Sequence, residues 1–201
     1  MISFEIMNFL AHLYLSPGEE EIVFGNFIAD SVKGKVFETY TNTIQRGILL
    51  HREIDRFTDQ HEIFKLSKAR LSPKYRMYSG VIVDIFYDHF LAKNWHLYSD
   101  KELKSFVSET YLMLIKHFRI LPPRSKRILP FMIAQNWLVN YSNLDDLRRV
   151  FRGMSRRTSN SAGMLNSVDD LEEYYDLFEN EFKLFFPEII KHIHSHEFFH
   201  I

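Results

Sequence analysis

Apolar residues recur three or four positions apart through most of this chain and almost nowhere alternate singly with polar ones. A period near 3.6 lays apolar groups along one stripe of a helix, whereas a half-buried strand needs a period of two. Ile44, Ile48, Leu49 and Leu50, then Ile54 and Phe57, keep helical spacing between Thr41 and Asp59. Val81, Ile85, Phe86 and Phe90 do so between Pro73 and Trp95. With 7 glycines and 6 prolines in 201 residues, the chain lacks the breakers that many short strands would need. The expectation is all-α: one helical domain over residues 1–201, long enough for a single hydrophobic core.

Turn and cap residues divide that pattern. Ser16-Pro17-Gly18 ends a short helix over 8–15, a second helix runs from Glu20 to about Asp30, and a third from Thr41 to Asp59. Ser72-Pro73 reads as a helix start, Ser99-Asp100 as the N-cap of a helix over 101–117, and Pro122-Pro123 as a break before a helix around 129–141. Asn143 can cap a helix over 144–151 that Gly153 ends. Residues 156–167 read as a polar loop, and Ser167 with Asp170 as a box-like start for a final helix through Phe186.

Several function classes drop out. The chain has no cysteine, which removes disulfides, thiolate nucleophiles and Cys-containing zinc sites and agrees with a reducing, cytoplasmic setting. The N-terminal stretch lacks the charge and apolar runs of a signal peptide, and no stretch is long and apolar enough for a membrane span. A net charge of −1 gives no field for nucleic acid. There is no Gly-rich phosphate loop, nucleophile elbow or dinucleotide fingerprint. Charge is unevenly placed, however. Arg119 to Arg157 holds nine Lys/Arg against Asp145 and Asp146, and the region from Asp169 onward holds nine Asp/Glu against Lys183 and Lys191. Such a basic stretch can meet an acidic partner or be a solvated face.

Polar groups at i, i+4 share a helix face, and several such pairs are metal-capable or polar: Asn8/His12, Asn26/Asp30, His51/Asp55, Asp55/Asp59 and Asp84/Asp88, with His89 directly after the last. Two stand out. Asp84, Asp88 and His89 lie inside VIVDIFYDHFLAKNW, and His51 follows Gly47-Ile48-Leu49-Leu50. Carboxylates buried among apolar groups need a counter-charge. A divalent cation supplies one, and mixed His/Asp ligands suit Mn²⁺, Mg²⁺, Fe²⁺ or Zn²⁺. His192, His194, His196 and His200 read as a frayed tail; His61, His96 and His117 read as surface or satisfied histidines.

These segments resemble the acyl-carrier-protein phosphodiesterase family. The runs that carry the likeness are MNFLAHLYLS (7–16), GNFIADSVKG (25–34), HREIDRFTD (51–59), DIFYDHFLAKNW (84–95), QNWLVNY (135–141) and GMSRR (153–157). Residues 1–6 fall outside it and read as an upstream extension. The resemblance implies a helical fold distantly like the HD-type metal phosphohydrolases. It also implies hydrolysis of the phosphodiester between 4′-phosphopantetheine and a serine of holo-acyl carrier protein, assisted by Mn²⁺ or Mg²⁺. Carried over by motif, Asp30, His51, Asp55, Asp84, Asp88 and His89 are the candidate metal ligands, with Asn8, His12 and Asn26 around them. The adjacent pair reads Asp88-His89, the reverse of the usual HD order. Arg52 or Arg156 and Arg157 would offset phosphoryl charge, and Asp59 or Asp88 would hold the attacking water. Carrier proteins are small and acidic, so Arg124, Lys126, Arg127, Arg148, Arg149 and Arg152 become a docking surface. The rival readings are a metal phosphohydrolase of a nucleotide or small phosphoester on the same scaffold, and a non-catalytic helical module that holds carrier protein.

Overall fold

The computed structural model describes residues 9–16, 18–155 and 164–195. Among them there is no strand, and none of their helices is long and apolar enough to cross a membrane. Among the described residues eleven α-helices follow one another: α1 Phe9–Tyr14, α2 Glu20–Ile28, α3 Asn42–Gln60, α4 Glu62–Tyr75, α5 Ser79–Lys93, α6 Leu103–Lys116, α7 Pro123–Ala134, α8 Trp137–Asn140, α9 Leu144–Ser155, α10 Ser167–Glu173 and α11 Tyr175–Ser195. The all-α expectation holds.

Helix α5 is buried nearly all the way round, from Ile82 to Ala92, as its unbroken apolar sequence requires. It packs against α1, α4 and α11. Phe86, Phe90, Phe178, Phe182 and Phe186 interlock between α5 and α11, with ring centroids 5.2 Å apart for Phe86/Phe178 and 4.9 Å for Phe182/Phe186. Each such buried side chain contributes roughly 2–3 kcal/mol of transfer free energy, so this seam anchors the molecule.

Helices α2 and α3 make the most extensive contact, and two glycines explain it. A Cβ on Gly25 would lie 2.1 Å from the Ile44 carbonyl oxygen, and one on Gly47 would lie 2.2 Å from that of Ile22. The two backbones therefore touch, which no other residue type at these positions allows. Asn26 follows Gly25, and His51 stands one turn beyond Gly47, so this contact brings their side chains together.

Some helix ends differ from the sequence reading. Thr41 Oγ1 caps α3 by accepting from Ile44 N at 3.2 Å, and His61 Nδ1 caps α4 by accepting from Ile63 N at 3.2 Å. Ser72-Pro73 lies in the last turn of α4 rather than starting a helix. A proline there forfeits one amide donor near an end, and the chain reverses just after, at Arg76 with φ 50°. Pro123 opens α7 instead of preceding it from a distance, as suits a residue with no N–H to lose. Helix α6 begins at Leu103, and Ser99 caps only the turn before it, accepting from Lys101 N. Asn143 does cap α9, accepting from Asp145 N and Asp146 N, but the helix runs past Gly153. Ser167 donates to the Met164 carbonyl rather than forming a capping box, and the last helix breaks at Tyr174 and continues to Ser195. His192 belongs to that helix, bonded to Glu53 at 2.6 Å and stacked on Phe57, so the part of the tail up to Ser195 is docked rather than frayed.

Candidate metal centre

Three chain segments converge on one amide. Asn26 is fully buried, and its Nδ2 donates to the His12 carbonyl at 2.9 Å and to Ser16 Oγ at 2.8 Å. Those two bonds fix the amide's orientation, so Oδ1 faces the two imidazoles. His12 Nδ1 lies 3.0 Å from it and His51 Nδ1 2.9 Å. An oxygen can only accept, so both Nδ1 atoms carry hydrogen and both Nε2 atoms point away from Asn26. The rings stack with centroids 4.0 Å apart.

Ahead of the two Nε2 atoms stand carboxylates. Asp55 bridges them, 3.3 Å from His12 Nε2 through one oxygen and 3.3 Å from His51 Nε2 through the other. Asp30, in the 3-10 turn Ala29–Ser31, lies 3.3 Å from His51 Nε2. Ligand atoms of His12, His51 and Asp55 all fall within 4.8 Å of one another. Both histidines are buried, while the Asp55 side chain is 50% exposed, so the cluster opens to solvent on the Asp55 side. His12 Nε2 is buried without a hydrogen-bond partner.

The electrostatics follow. For His51 burial opposes a proton, yet hydrogen bonding to Asp30 and Asp55 prevails and raises its pKa to about 10. For His12 burial and the neighbouring His51 prevail, and its pKa is lowered. Burial alone would raise Asp55, but the two histidines hold its carboxyl well below the usual range. Protein atoms thus supply one proton between two Nε2 lone pairs and leave the second facing carboxylate oxygen. A buried acceptor with no donor is costly, and a divalent cation among two imidazoles and two carboxylates would satisfy all four groups with balanced charge. The residues present fit such an ion.

The other expected site residues fall in different places. Asp84 lines a narrow crevice with Ala11, Ile54, Thr58 and Phe185. Burial first, then the charges of Asp55, Asp88, Asp59 and Asp30, push its carboxyl well above its ordinary range. Asp88 is not brought to the cluster. Its two oxygens accept from Leu10 N at 3.0 Å and Ala11 N at 2.8 Å, anchoring the first turn of the helix that carries His12. His89 is not brought there either. Nδ1–H donates to the Tyr141 carbonyl at 2.8 Å, and Nε2 accepts from the Tyr175 hydroxyl at 2.8 Å. Asp59 and Arg52 are exposed, Arg52 lying over the Phe37 ring at 5.3 Å. Asn8, Arg156, Arg157 and residues 1–6 lie outside the described residues. The basic stretch divides: Arg148 pairs with Asp169 and Glu172, and Arg149 with Asp146.

The pattern of pairs misses two things. His12 is given a supporting place, whereas its Nε2 stands in the cluster itself. The Gly25/Gly47 contact goes unread, although a glycine inside a good helix costs about 1 kcal/mol and signals close packing.

The family model described as acyl carrier protein phosphodiesterase matches residues 7–189. The chain belongs to that family. An acyl carrier protein phosphodiesterase of Yersinia enterocolitica is 31% identical over 185 residues, covering 92% of this chain and 96% of the relative. The Photorhabdus laumondii protein of that name is 31% identical over 194 residues, 96% and 98% of the two chains, and one from Klebsiella pneumoniae is 32% identical over 186 residues, 92% and 96%. No solved structure matches significantly.

Proposed function

We propose that this chain hydrolyses the phosphodiester joining 4′-phosphopantetheine to the serine of holo-acyl carrier protein, releasing apo-carrier protein and 4′-phosphopantetheine in the cytoplasm. Family membership supports the substrate. The observation that carries the chemistry is the pair of Nε2 atoms, set by one Asn26 oxygen and aimed at two carboxylates, with that of His12 unsatisfied.

His12, His51, Asp30 and Asp55 would hold a divalent ion, Mn²⁺ or Mg²⁺ by the family resemblance, with Fe²⁺ or Zn²⁺ compatible with the imidazole share. Such an ion supplies positive charge against the phosphoryl oxygens and acidifies the attacking water. Asn26 keeps both imidazoles in the Nδ1–H tautomer, which leaves Nε2 free to ligate. Asp55 opens the cluster to solvent, and Asp59, one turn on, is the exposed carboxylate that would orient the water as base. Arg52, next to His51, would meet phosphoryl charge. Asp88 and His89 fix α1 and α5 rather than touch substrate, because their polar atoms are already bonded.

Incubating the protein with Mn²⁺ and holo-carrier protein, then weighing the carrier, tests this reading. The carrier is expected to lose the phosphopantetheinyl mass. An unchanged carrier mass beside turnover of a nucleotide would sink it in favour of a small-phosphoester hydrolase.

A further inference from the structure

The bond to be cut lies at the partner's own serine, so the partner's body must touch the rim of the cluster. That demand selects among the cationic surfaces, and it rests on the carrier-protein reading above. From His51 the rim can be followed contact by contact. Arg52 lies over Phe37, in the 3-10 segment Gly34–Thr39. Tyr40, just after that segment, donates its hydroxyl to the Ile120 carbonyl at 3.2 Å. Ile120 closes the 3-10 turn Phe118–Ile120, whose Arg119 carbonyl accepts from Lys126 Nζ at 2.8 Å. A second seam joins α7 to the cluster's own turn: Ser125 Oγ lies 3.1 Å from Ser31 Oγ, one residue from Asp30.

Lys116 and His117, just before the Phe118–Ile120 turn, pair with Glu20, but the cations farther along the rim are unmatched. Residues 110–144 contain no carboxylate, and Lys35, Arg119 and Lys126 make no ion pair with a carboxylate among the described residues. Glu38 is the one acidic residue of the segment Gly34–Thr39. Apolar groups stand between the cations, with Val36 50% and Ile120 46% exposed. The cations of α9 are placed otherwise, since Arg148 and Arg149 already face Asp169, Glu172 and Asp146. Exposed apolar residues ringed by unpaired cations next to an opening are what an acidic protein partner needs.

We infer that acyl carrier protein docks on the rim formed by Lys35, Val36, Arg119, Ile120 and Lys126, and that α9 takes no part. Arg127, exposed on α7, lies on the flank of this surface.

The test is steady-state cleavage of holo-carrier protein by the full chain bearing Lys35→Glu or Arg119→Glu with Lys126→Glu, and Arg149→Glu as the control. Lys35 is exposed, so folding does not confuse the result of Lys35→Glu. Both rim variants are expected to raise KM about tenfold or more and to weaken its salt dependence, with kcat, bound Mn²⁺ and helical content unchanged. The control is expected to leave KM unchanged. A KM that stays at the wild-type value in both rim variants, or that rises only for Arg149→Glu, overturns the docking face and leaves the activity standing. Wild-type protein that fails to cleave the carrier overturns the activity, and the docking face with it.

Discussion

His51 and Asp55 stand one turn apart on α3 among Ile48, Leu50 and Ile54; Asp84 and Asp88 stand one turn apart on α5 among Val83, Ile85 and Phe86. Residue types, spacing and apolar neighbours are nearly the same. The partners are not. On α3 the polar atoms meet the side chains of His12 and Asp30, and His12 Nε2 has no hydrogen-bond partner. On α5 Asp88 meets two backbone amides and His89 meets a carbonyl and a hydroxyl. Burial shows that a polar group must be paired. Only the neighbouring elements show whether protein already supplies the pair.

The largest effect that this contrast predicts is on α3. His51→Ala or His12→Ala is expected to remove bound metal and lower activity at least about a hundredfold, beyond the loss typical of a supporting residue. Metal content by elemental analysis and carrier cleavage would both fall, while helical content stays. Asp88→Asn should keep its metal. If His51→Ala retains the metal and Asp88→Asn loses it, the contrast is backwards.

The next effect concerns what brings the α3 groups together. Gly47→Ala places a Cβ against the Ile22 carbonyl and forces α2 from α3. Overpacking of rigid backbone costs about 3 kcal/mol, or a fall in Tm of roughly 10 °C for a chain of this size. Because Asn26 and His51 ride on the two helices, metal affinity should drop along with stability. Calorimetric melting with and without Mn²⁺ reads both. A variant that melts early but binds metal as before would show that the glycines serve packing alone.

How much of this was legible beforehand divides along the same line. Helical period exposed α3, α5 and the all-α class, because apolar spacing is a local property of the chain. The His51/Asp55 pair and the importance of apolar neighbours were legible for the same reason. The fate of Asp88 was not, since its partners, Leu10 N and Ala11 N, are 78 and 77 positions away. Nor was the placing of His12, whose partner Asn26 lies in the next helix, nor the pairing of Arg148 with Asp169 and Glu172. Charge counted along the chain made that arginine part of a basic surface; packing neutralises it.

Asp88→Asn itself is expected to cost about 1–2 kcal/mol, as losing a helix cap does. The amide keeps one acceptor and turns its NH₂ toward the other backbone N–H. The native carboxyl is pushed up to about 7 by burial, against the pull of the two amide bonds. Its stabilising share is therefore full below the unfolded carboxylate value and fades as pH rises through 7. Urea titrations should show wild type and variant converging toward neutral pH. Equal gaps at acid and neutral pH would mean that Asp88 is ionised throughout.

The smallest effect separates His89 from His51, whose pKa moves the other way. Burial, then Lys93 nearby, lowers its pKa to about 4 despite the Tyr141 bond, so the fold holds it neutral. A group with a depressed folded pKa of this kind stabilises above its unfolded value near 6.5 and loses that share as pH falls toward 4. Between about pH 7 and about pH 5.5 the loss comes to about 1 kcal/mol. His89→Gln removes the titrating group while keeping a donor and an acceptor. The variant's stability should therefore decline less steeply over that interval than the wild type's, with Asp88, which titrates in the opposite sense, common to both. A decline just as steep in the variant would place the acid sensitivity elsewhere. The gap between α3 and α5 would then narrow, because His89 would no longer be a histidine whose bonding is complete without a proton or a metal.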